Sequence, residues 1–387
     1  KAATANSDYC FPNRLQDIGI LELAINANQQ DGKAPYYLGN LWYDKRQYDE
    51  AISNWELSSQ RDQSFPTVFR NLGIACYNKL KDANRALRMY EQAFDLNSSD
   101  GRVLMELDQL YRRLNKAPKE RLAFLENHLD VVERRDDLYL ERAALYNFIG
   151  EFEKAYDLIM QRKFHPWEGG EGKVSAQYCY SLVEMAKENL AKGNLTEAIA
   201  FLEQAQVYPE ALGEGKLYGT LENDIFYWTG CALEELGDIK KAKDYFKKAL
   251  EGSVTPSAAL VYNDQQPDKI FYKGLAWIKL GEKEKAERIF CSLDEYGTKH
   301  LNDEVTIDYF AVSLPDLLIF EADFNKRNRV HCHYMSGLGR LGKGMFDEAI
   351  ACFKQALAGD AMHFGSNTHL RMAKKMQEAT VAEHHRY

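Results

Sequence analysis

Asn223–Leu250, NDIFYWTGCALEELGDIKKAKDYFKKAL, decides the fold. An aromatic pair leads to Gly230, a Leu236-Gly237 step marks a turn, and Ala242 and Phe246 follow four residues apart. Apolar residues recurring at three and four positions, broken once by glycine, read as two helices joined by a tight turn. Asp268–Leu293, DKIFYKGLAWIKLGEKEKAERIFCSL, repeats the scheme. So does Val330–Leu357, with Gly337, Gly344, Ala349, Phe353 and Ala356, and so does Lys33–Ser58, with Leu38, Gly39, Trp42, Ala51 and Trp55.

Small residues recur where paired helices must approach closely. Gly39, Gly73, Gly230, Gly274 and Gly337 fall on the first helix of each unit, and Ala51, Ala86, Ala155, Ala198, Ala242, Ala286 and Ala349 on the second. A larger side chain at either point pushes the helices apart. The aromatic three or four residues beyond each alanine is expected to fill the space toward the next unit. Seven units are clear; an eighth, about Arg102–His128, keeps Leu107, Tyr111 and Leu125 but lacks the small pair.

This pattern resembles the tetratricopeptide repeat, which implies an all-α, right-handed α-α superhelical solenoid of about eight helix-turn-helix repeats. The marker positions Gly39, Gly73, Asp108, Ala143, Ala186, Gly230, Gly274 and Gly337 step by 34, 35, 35, 43, 44, 44 and 63 residues. The second half therefore carries an insertion in each repeat, between one repeat's second helix and the next repeat's first, and solenoid geometry puts them all on one edge. The expected divisions are an N-terminal capping helix region (1–31), repeats of 34–35 residues (32–164), repeats with long insertions (165–363), and a C-terminal helix and tail (364–387).

The composition is 45% apolar, 28% charged and 12% aromatic, which suits a packed protein rather than a disordered one. A net charge of -9 with no long basic block argues against nucleic acid as a partner. No stretch has the roughly 18 apolar residues of a membrane span. The seven cysteines are scattered with no Cys-x-x-Cys pair, so no metal site or disulfide framework is signalled and a cytoplasmic setting is expected. The chain opens Lys1-Ala2-Ala3-Thr4, without initiator Met or signal core, and reads as a piece of a longer protein.

Two sets of residues are candidates for binding. The first-helix positions Tyr36, Asn40, Tyr43, Arg70, Tyr77 and Asn78 should line the concave groove of the first two clear repeats, a polar and aromatic surface with one cation that suits an extended peptide or a sugar. The later equivalents, Tyr227, Glu234, Phe271, Ile278, Tyr334 and Leu338, are more apolar, and the chain's own loops are an alternative filling for that half. The edge insertions supply His165, Trp167, Glu168, Glu171 and Lys173, then Glu214 and Lys216, then Asn263 and Asp264. Gly-Glu-Gly-Lys ends the first two. Glycines ahead of a helix can aim amides at an anion, though Trp167 and Val174 depart from a phosphate-loop pattern, and plain tight turns explain the same residues. The longest insertion, Asp303–Arg329, is expected to form a short extra helix and an apolar strip folded against the repeats. His331 and His333 lie two apart, a spacing that diverges on a helix, so no metal is expected.

His165–Lys173, Tyr262–Asp268, Asp308–Asp316 (DYFAVSLPD) and Arg329–Tyr334 are together similar to the C-terminal repeat region of large bacterial proteins in which a domain of unknown function and a galactose-mutarotase-like β-sandwich come first. The resemblance, from about Phe11 to His363, implies carbohydrate-associated work and an N-terminal β-sandwich partner in the same protein, and it assigns no catalytic residue. No hydrolase, zinc-protease or dinucleotide motif occurs. The expected function is a protein-interaction or scaffolding module with no cofactor and no catalysis of its own. The alternatives are an accessory part of a carbohydrate-active enzyme, its edge loops covering a missing active site, and a self-associating solenoid with Met345 and Phe346 at its end.

Overall fold

The computed structural model describes residues 5–7, 10–167, 169–258, 264–306 and 319–384, with side chains to 381. Its regular elements are nineteen α-helices and short turns, with no strand among the described residues. After α1 (Gln16–Ala27) come the pairs α2 (Lys33–Asp44) with α3 (Tyr48–Arg61), and α4 (Pro66–Asn78) with α5 (Ala83–Leu96). Then come α6 (Gly101–Arg113), α7 (Pro118–Glu126) and one turn, α8 (Leu129–Val132). Next are α9 (Asp136–Ile149) with α10 (Phe152–Met160), α11 (Lys173–Lys192) with α12 (Leu195–Gln204), and α13 (Asn223–Glu235) with α14 (Ile239–Lys248). The last are α15 (Pro267–Lys279) with α16 (Lys283–Lys299), and α17 (Phe324–Gly342) with α18 (Phe346–Gly359), before a closing α19 (Phe364–His384). The all-α class and the repeated helix pair are as the sequence requires.

A backbone signature counts the repeats independently of side-chain pattern. The turn between the two helices of each pair needs a residue at positive φ, and these residues are Arg46, Lys81, Asn115, Gly150, Gly193, Gly237, Gly281 and Gly344. They step by 35, 34, 35, 43, 44, 44 and 63 residues, so the degenerate third repeat takes its place in a series of eight. Pro66, Pro118 and Pro267 open helices at the first position, where a missing N–H costs nothing. Asp82, Asp100, Asp238 and Asp323 cap others through their carboxylates.

The small residues act as expected, with one change. All seven marker alanines are buried, none more than 1% exposed. In five of the seven units the aromatic ring four residues beyond the alanine lies on the glycine of its own repeat, and two of these rings reach the next repeat as well, Tyr90 bonding Glu106 and Phe290 standing against Gly342. A Cβ on Gly230 would stand 2.5 Å from the Phe246 ring, and Gly39 meets Trp55, Gly73 Tyr90, Gly274 Phe290 and Gly337 Phe353 in the same way. Glycine is needed because the ring occupies the space of its side chain. In the third repeat the equivalent positions hold Asp108 and Arg121, 2% and 0% exposed. The Arg121 guanidinium donates to Glu141 Oε1 at 2.7 Å. A buried charged residue on each helix replaces the small pair, which is why this repeat looks degenerate.

The chain separates into two compact units near that repeat. One comprises residues up to Leu114 together with the described residues 319–322; the other comprises residues 115–306 and Asp323 onward. In the second unit, Tyr227, Phe246, Phe271, Phe290, Leu338 and Phe353 belong to an apolar core continuous across the last three helix pairs.

Candidate functional site

In the N-terminal unit, α2 and α4 bring Asn40, Tyr43, Arg70, Asn71 and Ile74 to one cleft of about 170 Å³, floored by Trp55 of α3. Asn40 Oδ1 accepts hydrogen bonds from Trp55 Nε1 and Asn71 Nδ2, both at 3.0 Å, which fixes its orientation. Tyr43 packs on Trp55 and Tyr48. Tyr36, expected on the groove surface, is instead 6% exposed and packed edge-on against Phe65. Arg70 is not a free cation: its Nε and Nη2 donate to both oxygens of Glu106, at 2.7 and 2.6 Å. Glu106 also accepts from the Tyr90 hydroxyl and from Arg102 Nε, each at 2.9 Å. Burial opposes its charge, but the Arg70 hydrogen bonds and the charges of Arg70 and Arg102 prevail and hold the carboxyl below its usual range.

The other two groove residues, Tyr77 and Asn78, grip the chain itself. Asn78 Nδ2 donates to the Ile319 carbonyl at 2.8 Å, and the Glu321 N–H donates to Asn78 Oδ1 at 2.9 Å. Phe320 between them is 1% exposed, with ring centroids 5.0 Å from Tyr77 and 5.6 Å from Tyr90. Arg113 of α6 donates to the Phe320 and Glu321 carbonyls, each at 3.0 Å, and lies over the Phe320 ring. The Glu321 carboxylate takes Lys79 on one oxygen and Lys81 on the other, at 2.6 and 2.7 Å. The expected apolar strip thus packs on the first repeats at Phe320. Residues 307–318 of that insertion, where its extra helix was expected, lie outside the described residues. Phe324–Arg329 form the first turns of α17 instead.

The first two insertions of the second unit contact each other. The Phe164 N–H donates to the Ala211 carbonyl at 2.9 Å. Glu214 reaches from the second insertion to the start of α11 and accepts from the N–H groups of Gly172 and Ser175, both at 2.7 Å. The helix end suited to an anion is therefore capped by the chain's own carboxylate. Between the two insertions lies a cleft of about 320 Å³ lined by His165, Trp167, Glu171 and Glu214, with Val174 and Leu212 as its apolar floor. His165 is tied through its backbone N–H to Asp136 at 2.9 Å. Lys173 is exposed on the first turn of α11, and Lys216 pairs with Glu222 at 2.6 Å. Asp264 is half-buried beside Gln266, while Glu168 and Asn263 lie outside the described residues. His331 Nε2 stands 2.8 Å from the Ser257 carbonyl of the third insertion.

The chain's own C-terminal helix covers two of the later groove positions. Phe271 and Tyr334 are buried against His369 of α19, at ring distances of 5.3 and 5.7 Å. On the same helix, Thr368 meets the Tyr180 hydroxyl at 2.7 Å and Arg371 pairs with Glu184 at 3.0 Å. Glu234 pairs with Lys279, while Ile278 remains 41% exposed. Sequence periodicity identifies the groove positions but carries no signal for Glu106, Arg113 or Phe320, whose roles arise from partners remote in the chain.

Residues 224–251, the α13–α14 pair, match the tetratricopeptide repeat family. The chain is also similar to the solved structure of YrrB, described as a TPR protein with an unusual peptide-binding site, at 17% identity over 48% of this chain and 90% of that one, TM-score 0.36. A tetratricopeptide repeat protein from Parabacteroides merdae ATCC 43184 is similar at 13% identity over 68% and 92% of the two chains, TM-score 0.39. A third likeness is to Naa15/Naa10 bound to HypK-THB, at 13% identity over 93% of this chain and 63% of that one, TM-score 0.43. With a positive-φ turn in every helix pair and small residues at most of the crossings, the chain repeats the form of the α13–α14 pair, which matches a tetratricopeptide repeat.

Proposed function

We propose that the chain is a non-catalytic protein-interaction module whose N-terminal groove holds extended peptide. One observation carries this reading: Asn78 bonds main-chain groups on both sides of Phe320, so the groove is built to grip a strand by its backbone. The neighbouring cleft around Asn40, Tyr43 and Asn71 offers further polar and aromatic groups in line with it. A photo-crosslinking residue in place of Tyr43 should trap a protein or peptide partner in cell extract, while one at exposed Asp49 should not. Equal labelling from both positions, or none from Tyr43, refutes the groove.

The aromatic and acidic edge cleft at Trp167, Glu171 and Glu214 favours a second reading, in which the chain serves a larger, carbohydrate-associated bacterial protein beside a β-sandwich domain. The resemblance of the loop motifs supports that context, and the free cysteines favour a cytoplasmic one. A glycan array probed with the chain and its Trp167→Ala variant tests it: sugar binding lost in the variant supports the reading, and an array blank for both removes it.

A further inference from the structure

The contacts that hold Ile319–Glu321 have the form of a recognition site. Backbone is held by side chains, Asn78 from one side and Arg113 through the carbonyls, so these bonds do not depend on what the held residues are. Identity is read at two points. An aromatic slot between Tyr77 and Tyr90 takes the Phe320 ring, and a pair of lysines, Lys79 and Lys81, takes one carboxylate oxygen each. The site draws on α4, α5 and α6, while its occupant lies more than 200 residues away in sequence. None of the contacts needs the covalent connection.

We propose that this groove recognises an extended peptide carrying an aromatic residue followed directly by an acidic one, and that Ile319-Phe320-Glu321 is its resident intramolecular occupant, which an incoming partner displaces. The inference rests on the groove reading above and adds the partner's chemistry and its regulation. A tethered ligand competes at an effective concentration in the millimolar range. A free peptide of micromolar intrinsic affinity therefore binds the wild-type chain weakly, and variants that release the occupant bind it tightly.

The probe is a fluorescein-labelled synthetic peptide copying residues 316–324, DLLIFEADF, titrated against the full chain. The double variant Phe320→Ala/Glu321→Ala should bind it about tenfold tighter than wild type or better. Glu321→Lys, which keeps the buried ring and loosens only the exposed lysine clamp, should bind it at least about threefold tighter on the same competition argument. Replacing the peptide's Phe by Ala or its Glu by Lys should abolish the gain, as should Asn78→Ala in the chain. If both variants keep wild-type helicity by circular dichroism yet bind the peptide no better than wild type, the inference is overturned. A random-peptide library panned on the double variant separates the two claims. Asn78-dependent binders that lack the aromatic–acidic pair refute this inference and leave the groove reading standing; a folded variant that retains no Asn78-dependent peptide refutes both.

Discussion

Arg70 and Glu106 form a two-pronged ion pair between neighbouring repeats, with Glu106 0% and Arg70 14% exposed at the side chain. Removing Arg70 leaves the buried Glu106 carboxylate with Arg102 and the Tyr90 hydroxyl alone, and removing Glu106 leaves Arg70 without its carboxylate. Arg70→Met should therefore cost about 3 kcal/mol or more, although a buried pair adds little over an apolar pair of equal volume. Thermal unfolding of Arg70→Met, Glu106→Leu and the double variant checks this. The double variant should recover much of the loss, and strictly additive losses contradict it.

The same pair sets an acid limit. The folded Glu106 carboxyl lies below its unfolded value of 4.5, so its contribution is complete above pH 4.5 and is lost as pH falls through the folded value. Urea midpoints measured from pH 6 to pH 3 should fall more steeply for wild type than for Glu106→Gln.

His369 acts in a different pH window. Burial, the main cause, lowers its pKa from 6.5 to about 3; it is 3% exposed, its Nδ1 donates to the Gly365 carbonyl, and Nε2 has no partner among the described residues. The unfolded chain takes up a proton below pH 6.5 that the folded chain refuses, so stability declines from 6.5 toward 3. His369→Gln should flatten that slope between pH 6.5 and 5, and an unchanged slope would show that another group sets it.

Two glycines of one repeat should fail for different reasons. Gly230→Ala drives a Cβ into the Phe246 ring and should cost about 1–3 kcal/mol, much of it restored by Phe246→Leu. Gly237→Ala meets nothing within 4 Å but sits at φ +88°, so its cost of about 1 kcal/mol should be indifferent to Phe246. Melting temperatures of the four single and double variants decide it.

Glu214→Ala should fray the start of α11 by removing acceptors from two N–H groups, at about 1 kcal/mol. Hydrogen exchange at Gly172 and Ser175 should quicken while exchange in α13 stays unchanged.

The repeat was legible because helix crossing is a local demand: glycine, alanine and ring recur at fixed offsets in five of the helix pairs, and the inserted lengths read directly from the marker spacing. Arg121 at the alanine position of the third repeat hid that repeat, since its burial depends on partners such as Glu141 that no local pattern announces. Of the six residues expected along the groove, Asn40 and Tyr43 line the N-terminal cleft, while Tyr77 and Asn78 hold residues 319–321. Tyr36 turned inward because Phe65 covers it, and Arg70 was claimed by Glu106. The pairing of Asn78 with Ile319 and Glu321 closes across most of the chain, and no periodicity reports such a contact.

The turn residues distribute backbone strain unevenly along the chain. Five of the eight turns place glycine in the left-handed region at no steric cost, Asn115 enters it at the small cost of a short polar side chain, and Arg46 and Lys81 occupy it against their side chains. Both of the latter lie in the N-terminal unit, so the turns that glycine would relieve are gathered there and not in the second unit.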